Sequence, residues 1–333
     1  MESVFYDSTC RLLEQECTPA VIREVESTGR AGSLWRALEQ SGFADAMVPE
    51  SADGAGLSLL DAWAIVFALG RYAVPTPFAQ TMLARAWLHQ AGMRIPSGSI
   101  TFAPFQVRES AEGLSCRHVS FGRLADHVVI QHQQRILILA TEDASVTMSG
   151  GHASLDADLF WPANLLDAAQ RTEAAPNLMA ELQAWCLAAL IAGAGDRVLE
   201  MTLDYANQRE QFGKPIGRFQ ALQQQISEMA EQVFGVRMAS EMSCRTDGFR
   251  PNALLAAVAK MQCSQAVDKI ASVAHAVHGA IGVTKDYDLQ LYTRRMREWA
   301  RSGGGHGYWA SMIGAAALSS PHGALDFIRE SLD

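Results

Sequence analysis

The sequence predicts an α+β fold, mostly helical, in three parts. An N-terminal helical domain covers 1–98, a small middle β domain 99–168 and a C-terminal four-helix bundle 169–333. Three observations lead there. Apolar residues recur at helical spacing up to about residue 95. From Ile100 they fall instead in short β-branched runs separated by turn-like clusters. Long helical patterns then return, Glu181 to Ala206 and Phe219 to Arg245 among them.

In order along the chain, Phe5, Leu12 and Leu13 mark a first helix, and Leu34 to Gln40 a second that Gly42 can cap. A loop, Pro49 to Ser58, precedes a strongly apolar helix opened by Asp61 and ended by Pro75-Thr76-Pro77. Thr81 to Gln90 makes another, finishing at Gly92. Strands are expected at Ser99–Phe102, Val119–Phe121, His127–Gln131, Arg135–Ala140 and Ser145–Met148, with Trp161-Pro162-Ala163-Asn164 as the exit from the β domain. Leu222, Ile226, Met229, Val233 and Val236 then mark one helix face. Gly248-Phe249-Arg250-Pro251 breaks the pattern, and Ala253 to Val283 resumes it, as an antiparallel bundle requires.

A net charge of −9 sets the overall field against nucleic acid and anionic membranes, so neither is expected as a partner. The six cysteines, Cys10, Cys17, Cys116, Cys186, Cys244 and Cys263, form no C-x-x-C pair and read as reduced packing thiols of a cytoplasmic protein. The N-terminal residues show no apolar signal-peptide core. Ala184 to Gly195 is the longest nearly unbroken apolar run, too short to span a bilayer, and reads as a buried helix. There is no P-loop, no G-x-S-x-G elbow and no dinucleotide G-x-G-x-x-G after a strand.

Between the two long helical patterns lies Arg209-Glu210-Gln211-Phe212-Gly213-Lys214-Pro215-Ile216-Gly217-Arg218-Phe219-Gln220, whose Gly-Lys-Pro-Ile-Gly core reads as a turn. By physical chemistry alone it is a polar helix–helix connector. Its wording resembles a signature of the acyl-CoA dehydrogenase family, whose architecture is also α–β–α with a four-helix bundle last. In that family an arginine and a glutamine eleven residues on hold the ADP end of a FAD bound mainly by a neighbouring subunit. The resemblance therefore implies FAD contacts from Arg209, Gln211, Phe212 and Gln220.

A second stretch, His275 to Tyr287, resembles the family's Gln-x-x-Gly-Gly-x-Gly motif, which implies ADP contacts at His278, Gly279 and Ala280. It departs from the pattern at Ala276 and Ala280. Read without the resemblance, Gly279 and Gly282 simply end a helix. His275 and His278 lack a third ligand for a metal and are assigned to packing.

The remaining departures concern chemistry. Working members of the family carry a glutamate just beyond the basic helix Leu291–Arg301, which abstracts the α-proton of the acyl-CoA as the β-hydride leaves for the flavin. That position falls here at Gly303, and glycine cannot take a proton. Some relatives place the base on the helix before the arginine motif, at about Gln183 here. Glu181, turned about 200° away, is expected to be a solvated first-turn residue. The family's flavin-contacting Thr-Glu-Pro-x-x-Gly-Ser-Asp segment corresponds to Thr101–Ser110, where only the proline survives. The cluster Arg294, Arg295, Arg297 and Arg301 reads as a solvated face, with a partner subunit or CoA phosphates as the functional alternative.

A kept ADP grip beside a missing base resembles the short non-catalytic subunits of α2β2 acyl-CoA dehydrogenases of steroid side-chain degradation. The resemblance implies a longer catalytic partner subunit, an acyl-CoA substrate and an electron-transfer flavoprotein as acceptor. A flavin-dependent monooxygenase or oxidase of the same fold, and a scaffold without cofactor contact, are the competing readings.

Overall fold

The computed structural model describes residues 3–246, 248–321 and 323–332. Helices α1 (Val4–Glu16), α2 (Pro19–Thr28), α3 (Gly32–Gln40), α4 (Leu59–Arg71) and α5 (Phe78–Gln90) form the N-terminal part. Local chemistry sets their ends. The side chains of Ser3, Thr18 and Ser58 accept from the first-turn amides of α1, α2 and α4, and Pro19 takes the first position of α2, where no amide is needed.

Eight strands follow: β1 (Ile100–Ala103), β2 (Val107–Ser110), β3 (Gly113–Val119), β4 (His127–His132), β5 (Arg135–Ala140), β6 (Ser145–Met148), β7 (Ala157–Pro162) and β8 (Gln170–Glu173), with a short helix α6 (Ala163–Leu166) before the last. They build two four-stranded sheets, β1-β4-β5-β8 and β2-β3-β7-β6. Alternation divides the first sheet's side chains. Val128, Ile130, Leu137 and Leu139 face the other sheet, while Val129, Ile136 and Ile138 join the helical core. A sheet covered on both faces explains the unbroken apolar runs of β4 and β5. The Trp161-Pro162 stretch is not an exit: it ends β7, an inner strand, and β8 carries the β layer past residue 168 to Glu173.

The bundle comprises α7 (Leu178–Gln208), a hairpin of β9 (Glu210–Gln211) and β10 (Lys214–Pro215), then α8 (Gln220–Met242), α9 (Ala253–His278), α10 (Leu289–Arg301), α11 (His306–Ser319) and α12 (Ala324–Leu332). Helix α7 is its axis. It has the length and apolarity of a membrane span, yet its most apolar window is wholly buried among the other helices. Gly70 of α4 and Gly193 of α7 face backbone oxygens of the opposite helix, Leu190 O and Phe67 O, so closely that a Cβ has no room. All six cysteines are free thiols.

Candidate functional site

Helix α7 runs directly into the hairpin. Arg209 leaves the helix in an extended conformation, and Lys214 and Pro215 pair with Gln211 and Glu210. The two residues between, Phe212 (φ 52°) and Gly213 (φ 77°), both adopt the left-handed conformation that a tight two-residue turn demands. Ile216 anchors the hairpin: its side chain is buried and its N–H donates to Arg209 O at 2.8 Å. Lys214 Nζ sits 4.4 Å over the Phe219 ring, and Phe212 meets the same ring edge-on.

This local geometry turns the predicted ADP contacts outward. Arg209, Gln211 and Gln220 are exposed, and Phe212 is 91% exposed. Arg209 has no carboxylate partner among the described residues. Gln220 opens α8, whose first turn has no side-chain cap and so leaves amides available to an anion.

The second motif lies at the same end of the bundle. Gly279 (φ 64°) ends α9, and the His278 ring before it is buried, stacked on Tyr205 at 4.5 Å and tilted against Tyr287 at 5.2 Å. Its Nδ1 lies 2.8 Å from Ala274 O, and burial lowers its pKa, so the ring is a neutral packing element. Tyr205 belongs to the last turn of α7 before Arg209, which brings the two motifs together. Gly279 and Ala280 are exposed there, whereas His275 Nε2 is engaged with Thr293 Oγ1 at 2.9 Å.

At the family's base position the picture reverses. Gly303 (φ 66°) lies in the turn between α10 and α11, and its carbonyl and that of Gly304 accept from Trp309 Nε1 at 2.9 and 3.1 Å. A Cβ on Gly303 would come within 2.9 Å of both Gln183 Cγ and Leu187 Cδ1. The two positions that the resemblance marks for a base are thus neighbours in space, and the Gln183 side chain packs against Gly303 through its Cβ and Cγ. Gln183 is 2% exposed and its Oε1 has no hydrogen-bond partner. A neutral amide is no base. Glu181 is not solvated as expected. It is buried, and its Oε2 accepts from Arg250 Nε and Nη2 at 3.1 and 2.7 Å, so its carboxylate is committed.

The segment corresponding to the flavin cradle meets the same turn. Phe105 packs edge-on against Tyr308 at 5.2 Å and Trp309 at 6.5 Å, and Tyr308 against Trp309 at 5.0 Å. Ala180 and Ala184 of α7 and Ala257 of α9 close around the fully buried Trp309. The segment that the resemblance marks as flavin-contacting and the turn that it marks for the base are thus in contact through aromatic side chains.

Sequence reasoning missed an ionic network behind the turn. Glu26 of α2, buried, accepts from Arg294 Nη2 at 2.7 Å and from Arg295 Nη2 at 2.8 Å. Arg295 Nη1 donates to Glu298 Oε2 at 2.7 Å, and Ser154 Oγ donates to Glu298 Oε1. Asp156, buried, accepts from Phe121 N at 3.2 Å and Ser302 Oγ at 3.3 Å. Burial first and the nearby Glu298 second push Asp156 up to about 8, against the pull of Phe121 N–H, Arg295 and Ser302. The basic cluster is therefore not a uniformly solvated face, since two of its four arginines are spent inside the molecule. On the other side of α10, Lys260 Nζ donates to Trp299 O at 2.9 Å, Ala300 O at 3.1 Å and Ser264 Oγ at 2.9 Å. Nothing in linear spacing distinguishes these buried ions from surface ones. The one hint was the density of arginine before the glycine turn.

Comparison with known proteins bears on all of this. The profile described as acyl-CoA dehydrogenase, C-terminal domain, matches residues 177–318, and that described as acyl-CoA dehydrogenase, N-terminal domain, matches 2–94. The acyl-CoA dehydrogenase IpdE2 of Mycolicibacterium smegmatis is 30% identical across 87% of this chain and 90% of its own length. The protein of that name from Mycobacterium tuberculosis is 30% identical across 87% and 88%. Among solved structures, a chain of the ChsE4–ChsE5 complex from Mycobacterium tuberculosis superposes with a TM-score of 0.79 at 23% identity, covering 96% of this chain and 97% of the other. A chain of the Tcur3481–Tcur3483 steroid ACAD, G363A variant, also reaches 0.79, at 21% identity, covering 98% and 97%.

Proposed function

The chain belongs to the acyl-CoA dehydrogenase family, FAD-dependent oxidoreductases acting on CH–CH bonds, and from that premise we propose that it is the non-catalytic subunit of a heteromeric member. Its role is to complete the cofactor site of a longer partner that keeps the glutamate, in an α2β2 assembly.

One observation carries this reading. Both base positions converge on one small space, where the Gln183 and Leu187 side chains are packed against Gly303. No substitution nearby supplies a carboxylate at that spot, because Glu181 is tied to Arg250. The chain does not deprotonate a thioester there.

The two ends of FAD fare differently. The isoalloxazine ring does not fit this chain's own side, where Phe105, Tyr308 and Trp309 are packed together. The ADP end fits. Arg209 is an exposed cation with no carboxylate partner among the described residues, Phe212 and Gln220 are exposed in the same segment, and the uncapped start of α8 favours an anion. Arg209, Gln211, Phe212 and Gln220 would hold the pyrophosphate and adenine of a FAD seated mainly on the partner, with Gly279 and Ala280 beside them. His278 acts only by fixing that backbone. When bound, FAD supplies the acceptor for the β-hydride; this chain contributes grip and orientation.

The substrate is an acyl-CoA, and a bulky acyl group of the steroid type suits an assembly with one active site closed in each pair. Electrons then pass to an electron-transfer flavoprotein. The steroid label borne by one structural neighbour and the two-component complexes named in both point the same way. The test is co-expression with a longer homologue that retains the glutamate. FAD content and acyl-CoA-dependent dye reduction should appear only in the co-purified complex. A lone chain that holds stoichiometric FAD and oxidises an acyl-CoA overturns the proposal.

A further inference from the structure

Three aromatic rings meet where α7 and α9 end. Tyr205 stacks on His278 with centroids 4.5 Å apart and planes inclined by 26°. Tyr287 lies 5.2 Å from His278 and meets Tyr205 edge-on at 6.3 Å. Each ring comes from a different stretch: the last turn of α7, the last residue of α9 and the loop that leads into α10. His278 is 3% exposed, and the two tyrosines beside it are half-buried. Ring pairs have preferred stacked and edge-on geometries, so three rings in mutual contact fix relative positions that aliphatic contacts leave looser.

The cluster joins two segments that leave their helices side by side. Arg209 follows Tyr205 by one turn, and its N–H donates to Tyr205 O at 2.8 Å. Gly279 follows His278 directly and departs from α9 at φ 64° and ψ −145°. Among the described residues no hydrogen bond or ion pair joins 209–220 to 279–287, and the rings bridge them. The third ring is also held from outside the bundle. Arg23 of α2 donates through Nη2 to Lys285 O at 3.1 Å and to Asp288 Oδ1 at 2.7 Å, which pins the loop on both sides of Tyr287. Neither the Tyr205 nor the Tyr287 hydroxyl has a hydrogen-bond partner among the described residues, so both tyrosines act through their rings.

Resting on the reading that this end of the bundle holds the ADP part of FAD, we infer that Tyr205, His278 and Tyr287 are positioning residues. They form a ring clamp that sets the spacing between Arg209 and the Gly279–Ala280 backbone, so that both meet one dinucleotide. The clamp acts through the backbone of the residues that follow Tyr205 and His278. A grip built from two independently moving segments must be ordered when the ligand arrives, and that ordering is subtracted from affinity. Segments already held in register escape the loss. A cluster that only filled space would need apolar volume; a clamp needs flat rings in contact.

That difference gives the test. FAD is titrated into the flavin-free co-purified complex and followed by flavin fluorescence, beside urea unfolding of the lone chain. Tyr287→Leu keeps the apolar volume and removes the ring; it should weaken FAD binding about tenfold. Tyr287→Phe should bind FAD as the wild type does. In an Arg209→Ala background Tyr287→Leu should cost less than about threefold, because the group it positions is gone. Tyr205→Leu and Tyr205→Phe repeat the comparison from the α7 side, and decide it should Tyr287→Leu fail to fold. Unchanged FAD affinity in Arg209→Ala alone would sink the reading of this end as the ADP grip, and the clamp with it. A weakened Arg209→Ala beside an unaffected Tyr287→Leu would overturn the clamp alone. So would a Phe variant as weak as the Leu variant, or a full tenfold loss in the Arg209→Ala background.

Discussion

The two ends of helix α7 have opposite fates. At its C-terminal end Arg209 and the hairpin Glu210–Pro215 turn side chains outward: Arg209 has no carboxylate partner among the described residues, and Phe212, though edge-on to Phe219, stands almost fully in solvent. Near its N-terminal end Gln183 and Leu187 are pressed against Gly303, and Trp309 is sealed within alanines. A side chain kept for a ligand on another molecule gains nothing from its own chain, so it stays exposed. Under the proposed function, the place where the partner supplies the base is filled here by ordinary packing, because an empty cavity loses dispersion contacts and costs stability. Under that proposal the contrast separates the half of a shared site that this chain would supply from the half that its partner would.

The closed end should break first under mutation. Trp309→Ala removes a fully buried indole and both carbonyl bonds that hold the turn, for an expected loss of about 3–5 kcal/mol. Denaturant titration should show the midpoint fall with the slope unchanged. A loss below about 1 kcal/mol would mean the plug is loose and the comparison of closed and open ends is wrong.

Restoring the acid tests the same end from the other side. Gly303→Glu places a side chain at φ 66° and drives its Cβ against Gln183 and Leu187, for an expected cost of about 2–4 kcal/mol. Adding Gln183→Ala should recover part of that cost without producing dehydrogenase activity in the lone chain. Activity gained by Gly303→Glu alone would show that only the base was missing.

A smaller effect appears with pH at Lys260. Burial pushes its ammonium down to about 7, although three oxygen acceptors favour the charged form. The unfolded chain keeps that proton to about 10.5, so the unfolded state binds more protons between about pH 7 and about pH 10.5. Stability contributed at this position therefore rises with pH across that window. Comparing wild type with Lys260→Met by denaturation at several pH values isolates it. The difference should move in favour of the wild type as pH rises, and a constant difference would contradict the shift.

The sequence made most of the frame legible, and physical reasons separate what it showed from what it hid. Strands β4 and β5 were readable because a sheet buried on both faces needs unbroken apolar runs. Strands β2 and β8 were not, since Val107–Ser110 and Gln170–Glu173 are sheet edges whose residues are mostly polar and face water. The turn at Gly213 could be read because a tight hairpin is local in sequence. The filled base position could not: the absence of an acid at Gly303 was visible, but its contact with Gln183 exists only once α10 turns back on α7. Glu26, Asp156 and Glu298 look like any solvated acids until the folded chain buries the first two and half-buries the third.

On the chain's own folding the smallest effect belongs to Arg209→Ala, and for that reason it sharpens the comparison most. Arg209 is exposed and bonded to no carboxylate among the described residues, so its removal should change unfolding free energy by less than about 0.5 kcal/mol. The same substitution in the complex should weaken FAD retention by about 2–5 kcal/mol, because a phosphate buried at a subunit boundary would lose its counter-charge. Arg209→Lys should recover only part, as an ammonium cannot reproduce the guanidinium fork on a phosphate. Flavin absorbance after gel filtration, measured beside the denaturation curves, reads both quantities on one preparation. A drop in folding stability would make Arg209 a structural residue, and unchanged flavin retention would make the chain a scaffold. Only stability held and flavin lost together assign the open end to a ligand that the closed end does not hold.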